Sequence, residues 1–225
     1  MVSIHLEKQQ LSHFKVINMI NKKLLIIFGL ESTAVEIEEA AHLSLTNYTV
    51  TKLLYSEGLQ SNSHFKKLIE NFTDISYIIS FTNADLRFKC ETQVLSLPAL
   101  KPLSIIHPKS YISTSAQIGA GCYIAANAVV SSNARLENHV MVNFNASIGH
   151  DAHIKKHVSL LPGARVSGNT IIGEGSVLGS NSFIFQGCSI GRNNVIDALT
   201  AIHKNMDDDM ISAARVTKSF KQIKR

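Results

Sequence analysis

From Val142 to Ile172 the sequence reads VNFNAS IGHDAH IKKHVS LLPGAR VSGNTI I, and every group of six opens on an aliphatic residue. The phase holds outward in both directions. Ile106, Ile112, Ile118, Ile124, Val130 and Leu136 precede the stretch, and Leu178, Ile184, Ile190, Ile196 and Ile202 follow it, giving seventeen consecutive aliphatic positions without an insertion. With roughly one residue in three aliphatic, chance would produce such a run about once in a hundred million. The period is therefore a structural rule of this half of the chain.

A helix repeats at 3.6 residues and a flat strand at two, so neither uses a period of six. The residue two before each aliphatic position is usually small, as at Ala116, Cys122, Ala128, Ala134, Ala146, Ala152, Ala164, Thr170, Ser176, Ser182 and Cys188. One aliphatic and one small inward residue per six fits a short strand followed by a corner, three of which close one turn of a parallel β-helix. Gly119, Gly149, Gly173, Gly179 and Gly191 each follow the aliphatic residue, where a corner is expected to need a backbone without Cβ.

The quoted stretch also holds His150, His153 and His157. On a helix, imidazoles three and four residues apart would share one face and suggest a metal site. The hexad rule removes the helix and with it that reading, so no metal is expected. His139, His153 and His157 are expected to be outward or corner residues bonded to water or a neighbour.

Ahead of the hexads the pattern differs. KLLIIFG reads as a buried strand and ESTAVEIEEAAHL as an amphipathic helix. NYTVTKLLY, SHFKKLIENF, ISYIISF and NADLRFKCETQVLSL continue the alternation of strand and helix. The predicted class is an α/β Rossmann-like βαβ domain over 22–103, followed by an all-β left-handed parallel β-helix over 104–204. An N-terminal extension covers 1–21 and a C-terminal cap or tail 205–225.

The bulk numbers bound the function. The 225 residues are 45% apolar, as in ordinary globular domains, and the net charge of +5 is scattered apart from a basic C-terminal run, so no nucleic-acid partner is expected. Cys90, Cys122 and Cys188 show no CxxC spacing and suggest a reduced compartment. The longest apolar run, Leu24 to Leu30, is too short for a bilayer, and the polar N-terminus is unlike a secretory signal, which together predict a cytoplasmic protein without a membrane span.

The hexad run resembles the left-handed β-helix acyltransferases, and with the βαβ domain ahead of it the chain from Lys22 onward resembles the sugar O-/N-acetyltransferases of the sialic acid O-acetyltransferase type. That group includes N-acetyltransferases of nucleotide-linked amino-sugars. NFNASIGHD followed by PGARVSG carries the likeness. The resemblance implies a homotrimer, with acetyl-CoA along the groove between neighbouring β-helices and a sugar or nucleotide-sugar acceptor. It implies that His150 is the general base, assisted by Asp151, an assignment that suits an acceptor whose proton must be removed before attack. Asn143 would contact the acceptor sugar, and the Gly168 N–H would face the thioester carbonyl, where charge develops. Ser159 stands where relatives carry a second His near the CoA.

Two segments depart from the resemblance. The Gly-rich turn of relatives reads GLESTA here, with Glu31 where a phosphate would approach, and the C-terminal closing turn is replaced by MISAARVTKSFKQIKR, whose cations are expected to form a solvated tail, with pairing to CoA phosphates as the alternative. These departures support a competing reading, a non-catalytic trimeric scaffold or sugar-binding subunit. A third reading, a metal enzyme of the carbonic anhydrase type on the same helix, would need histidines from adjacent coils and chains.

Overall fold

The computed structural model describes residues 23–29, 31–53, 63–97 and 100–213. The expected extension over 1–21 and the basic tail from Arg215 onward lie outside the described residues.

All six elements read from the first half are present. Strands β1 (Lys23–Phe28), β2 (Tyr48–Leu53), β3 (Asp74–Ile79) and β4 (Leu100–Pro102) form a four-stranded parallel sheet in the order β2-β1-β3-β4. Helices α1 (Glu31–Ser44), α2 (Ser63–Ile69) and α3 (Ala84–Leu95) connect the strands. Leu24 through Phe28 are fully buried, as a strand covered on both faces requires. Asn83 caps α3, its side chain accepting the Leu86 N–H at 3.0 Å.

From Ile105 onward the chain is a three-sided parallel β-helix of two-residue rungs, paired at a separation of eighteen residues up to Ile202. A seven-stranded sheet runs from Ile105–Ile106 to Ile211–Ser212, a six-stranded sheet from Tyr111–Ile112 to Ala201–Ile202, and a five-stranded sheet from Gln117–Ile118 to Ser189–Ile190. The aliphatic hexad residues stack inside as ladders, for example Val130, Ile148, Val166 and Ile184. The small residues at the second position, from Cys122 to Cys188, are buried beside them. Each fully buried aliphatic side chain contributes about 1.5–3 kcal/mol.

The corners follow a rule of their own. Every sixth residue from Gly121 to Leu199 has φ between 54° and 74°, and all fourteen positions are Gly, Asn, Asp or His except Leu199. These are the residues that tolerate the left-handed region. The glycines after the aliphatic residues serve another purpose, since their φ is not positive. A Cβ on Gly149 would stand 2.5 Å from the Gly168 nitrogen, and one on Gly173 would stand 2.3 Å from the Gly191 oxygen. Those glycines permit one coil to close onto the next, which corrects the expectation that they turn the corner. The helix also runs past 204: Ile190 bridges Met206 and Val195 pairs Ile211, so residues 206–212 form a shortened final coil where a cap was expected.

The α/β domain rests on the seven-stranded sheet. Leu25, Ile27, Ile37 and Ile78 pack with Ile105, Tyr123, Ala125 and Met141. Beside this apolar contact α3 inserts a polar one. Arg87, fully buried, donates to the carbonyls of Phe81 and His157 and to Ser159 Oγ. Burial lowers its guanidinium to about 9, still above neutral pH. One turn on, Glu91 accepts from His139 Nε2 at 3.1 Å and His157 Nε2 at 2.7 Å, while those two rings stack at 5.3 Å. His139 and His157 are corner residues as expected, but they are buried rather than outward because α3 covers them.

Hydrogen bonds from the two histidines hold the Glu91 carboxyl below the usual carboxylate range. A carboxyl depressed in the folded state stabilises it above the unfolded value of about 4.3, and that contribution fades as pH falls through the folded value. Glu91→Gln is expected to cost about 2 kcal/mol at pH 7 and to cost less as the pH is lowered below 4. Urea titrations of both proteins across that range check the sign.

Candidate active site

His150 and Asp151 occupy the edge between the six- and five-stranded sheets, immediately after the Ser147–Ile148 rung. Asp151 is the corner residue, with φ 58°, and this backbone conformation turns its carboxylate back onto the preceding imidazole. His150 Nδ1 lies 2.8 Å from Asp151 Oδ2. The other carboxylate oxygen accepts from Asn133 Nδ2, one coil earlier, at 3.1 Å. Hydrogen bonds from His150 and then Asn133 keep Asp151 below its ordinary value, so it is ionised at neutral pH. A carboxylate can only accept, which puts the Nδ1 proton on the imidazole side and leaves Nε2 as the free basic nitrogen. Half of each side chain is open to solvent.

Nε2 lies over Gly168, the residue eighteen positions on. A Cβ there would stand 2.5 Å from it, so the absence of a side chain at Gly168 makes the space the ring occupies. Among the described residues the Gly168 N–H has no hydrogen-bond partner, and Gly168 is buried beneath the imidazole. A base and an uncommitted amide donor therefore share one corner, which is the pairing that acyl transfer requires.

Asn143 and Ser159 are placed elsewhere. Asn143 precedes the edge between the seven- and six-stranded sheets, at the opposite end of the short face that leads to His150, and its Oδ1 accepts the Phe144 N–H at 2.7 Å. One chain does not bring it to His150. Ser159 is completely buried under α3, donating to the Thr82 carbonyl at 2.7 Å and accepting from Arg87 at 2.8 Å. It has no surface for CoA, and its hydroxyl serves the junction between domains.

The three histidines of the opening stretch diverge. His150 pairs with Asp151, His153 on the five-stranded sheet with Glu137 at 2.9 Å, and His157 at the next edge with Glu91. Among the described residues, no group of three His, Cys, Asp or Glu side chains is arranged to hold a metal. All three cysteines are buried and free. No described helix is long and apolar enough to cross a membrane. At the start of α1, a Cβ on Gly29 would stand 1.9 Å from Ser80 Oγ, so the one glycine kept in the GLESTA turn is fixed by packing against β3's end.

Residues 169–202 match the model of the hexapeptide repeat of succinyl-transferase. The chain carries a hexapeptide-repeat β-helix. No curated protein matches it. Among solved structures, the acetyltransferase domain of PglB from Neisseria gonorrhoeae is similar at 29% identity and a TM-score of 0.74, over 89% of this chain and 100% of that one. The same domain has been solved in complex with acetyl coenzyme A. PerB from Caulobacter crescentus, in complex with CoA and GDP-perosamine, shares the fold at 16% identity and a TM-score of 0.74, over 84% of this chain and 93% of that one. WeeI from Acinetobacter baumannii does so at 16% and 0.73, over 84% of this chain and 95% of that one.

Gly168→Ala is expected to push the imidazole off Asp151 while leaving the β-helix folded, since the obstructing atoms belong to a surface side chain. The His150 ring resonances in a heteronuclear NMR spectrum should shift while the unfolding midpoint moves little. Unchanged His150 resonances would show that the close approach to Gly168 does not position the ring.

Proposed function

We propose that the protein transfers the acetyl group of acetyl-CoA to an amine of an amino-sugar, on a left-handed β-helix that works as a homotrimer. The observation that carries this reading is the His150–Asp151 pair set over the free amide of Gly168. The similarity to perosamine N-acetyltransferase supports nitrogen as the acceptor atom, where the sequence likeness leaves hydroxyl and amine both open.

In this mechanism His150 Nε2 takes a proton from the acceptor amine as nitrogen attacks the thioester carbon. The carbonyl oxygen gains negative charge and is met by the Gly168 N–H. Asp151 holds the imidazole's orientation and balances the cation it becomes. Collapse of the tetrahedral adduct breaks the C–S bond, and the imidazolium proton passes to the departing CoA sulfur. The products are an N-acetylated sugar and free CoA.

Asn143 joins this site only if a neighbouring copy supplies it, because the two residues sit on different edges of one β-helix. Exposed Tyr111 and Val129, on the face between those edges, offer apolar surface for such a contact. A homotrimer with its groove between copies satisfies both observations. The catalytic reading also exceeds the scaffold reading on one point: a structural corner needs neither an ionised Asp151 beneath an imidazole nor a free Nε2.

Thiol release from acetyl-CoA, followed with nucleotide-linked amino-sugars, free amino-sugars and sugars bearing only hydroxyls, tests the reading. Amine-dependent release is expected, with His150→Ala slowing it by about 10²–10⁴-fold and leaving acetyl-CoA binding intact. A folded oligomer that releases no thiol with any acceptor would favour the scaffold. Release untouched by the substitution would remove His150 from the mechanism.

A further inference from the structure

A polar cleft of about 420 Å³ opens beside the His150–Asp151 corner, on the side of Asp151 away from Gly168. Ser115, Gln117, Asn133, Arg135, Asp151 and His153 line it. Most of its polar groups are already committed. Asp151 uses one oxygen for His150 and the other for Asn133. His153 Nε2 is held by Glu137, which also takes Lys155 at 3.1 Å. Burial pushes Glu137 up, but bonds from Lys155 and His153 outweigh it and keep the carboxyl ionised, so Lys155 has its counter-charge.

Arg135 is different. It occupies the outward position of its rung, between Gln117 and His153 in the ladder, and is exposed. Among the described residues its guanidinium has no ion pair or hydrogen bond, as is true also of Arg165 on the six-stranded sheet, but Arg135 is the arginine that lines the cleft. An arginine fork presents planar donors matched to carboxylate and phosphate oxygens. One strand spacing, about 4.8 Å, separates its rung from the rung that follows His150, a gap that a single sugar ring and one substituent can bridge. The Gly168 side of the corner is the one assigned to the thioester, so this side is left for the acceptor.

We infer that the cleft is the acceptor subsite and that Arg135 selects acceptors bearing an anionic group, a carboxylate or a phosphate, next to the reacting sugar. The inference rests on the acetyl-transfer reading for the word acceptor, but the binding it requires needs no turnover. The Gln117 amide, and the Asn133 Oδ1 that its bond to Asp151 leaves over, supply the neutral hydrogen bonds that sugar hydroxyls use. Arg135 is thus a specificity-determining residue with no part in proton transfer.

Three probes that share a glucosamine core separate the sources of negative charge: UDP-glucosamine carries phosphates, muramic acid a carboxylate, and glucosamine neither. Binding is measured on the full-length protein without acetyl-CoA, by calorimetry or ligand-observed NMR. At least one anionic probe is expected to bind ten-fold or more tighter than glucosamine. Arg135→Ala should erase that difference, Arg135→Lys should restore part of it, and glucosamine binding should not respond to either change. Preference for UDP-glucosamine would name the phosphate, and preference for muramic acid the carboxylate. Equal binding of all three probes by the wild-type protein, or an anion preference that survives Arg135→Ala, would overturn the inference. His150→Ala should leave the preference intact, and a wild-type protein that shows Arg135-dependent binding yet releases no thiol with any acceptor would count against acetyl transfer alone.

Discussion

Each coil of this protein must lie flat on the next, and the contact is made by backbone. Rung N–H groups donate to carbonyls of the following coil at about 2.8–3.0 Å, from Ile105 through Asp197. That spacing leaves no room for a Cβ at Gly119, Gly149 and Gly179, and it requires left-handed corners every sixth residue. The interior then has space for one aliphatic and one small side chain per hexad. The candidate active site is a by-product of the same closure. Gly149 lets the His150 coil settle onto Gly168, Asp151 is the corner residue, and Asn133 one coil below steadies its carboxylate.

The junction between domains depends on charge where the β-helix depends on shape. Glu91 and Arg87, four residues apart on α3, project from one helical face into the seven-stranded side of the β-helix. Arg87 satisfies its donors with carbonyls and Ser159, and Glu91 takes up two stacked imidazoles. An apolar contact alone would tolerate sliding between the two domains, whereas these directional bonds fix one register. The α/β domain is thereby held against the face opposite the His150 edge, and the cleft beside Asp151 keeps an open approach.

Much of this was legible in the sequence because the β-helix is local: a rung, its corner and its inward residues lie within six residues. The seventeen aliphatic positions set the coil period, and GHD put His150 and Asp151 together. The corner rule was equally legible, in Asn127, Asn133, Asn145, Asn169, Asn181 and Asn193 at intervals of six or multiples of it. The glycines after the aliphatic residues drew the corner argument to the wrong position. Ser159 was misread, and the burial of the corner residues His139 and His157 was missed, for a different reason. Their partners are Glu91, Arg87 and Thr82, some fifty to eighty residues away in sequence, and hexad spacing carries no information about which face another domain covers. The Arg87 and Glu91 pair on a helix otherwise packed by Cys90 and Val94 was the one available signal.

A structure of the protein with CoA bound most directly tests whether the His150 corner is an acyl-transfer centre. The account predicts the CoA sulfur at the edge between the six- and five-stranded sheets, beside Gly168 and within reach of His150 Nε2, with a second copy of the chain closing the groove. CoA seated on another edge, or absent from an assembled protein at saturating concentration, would contradict it.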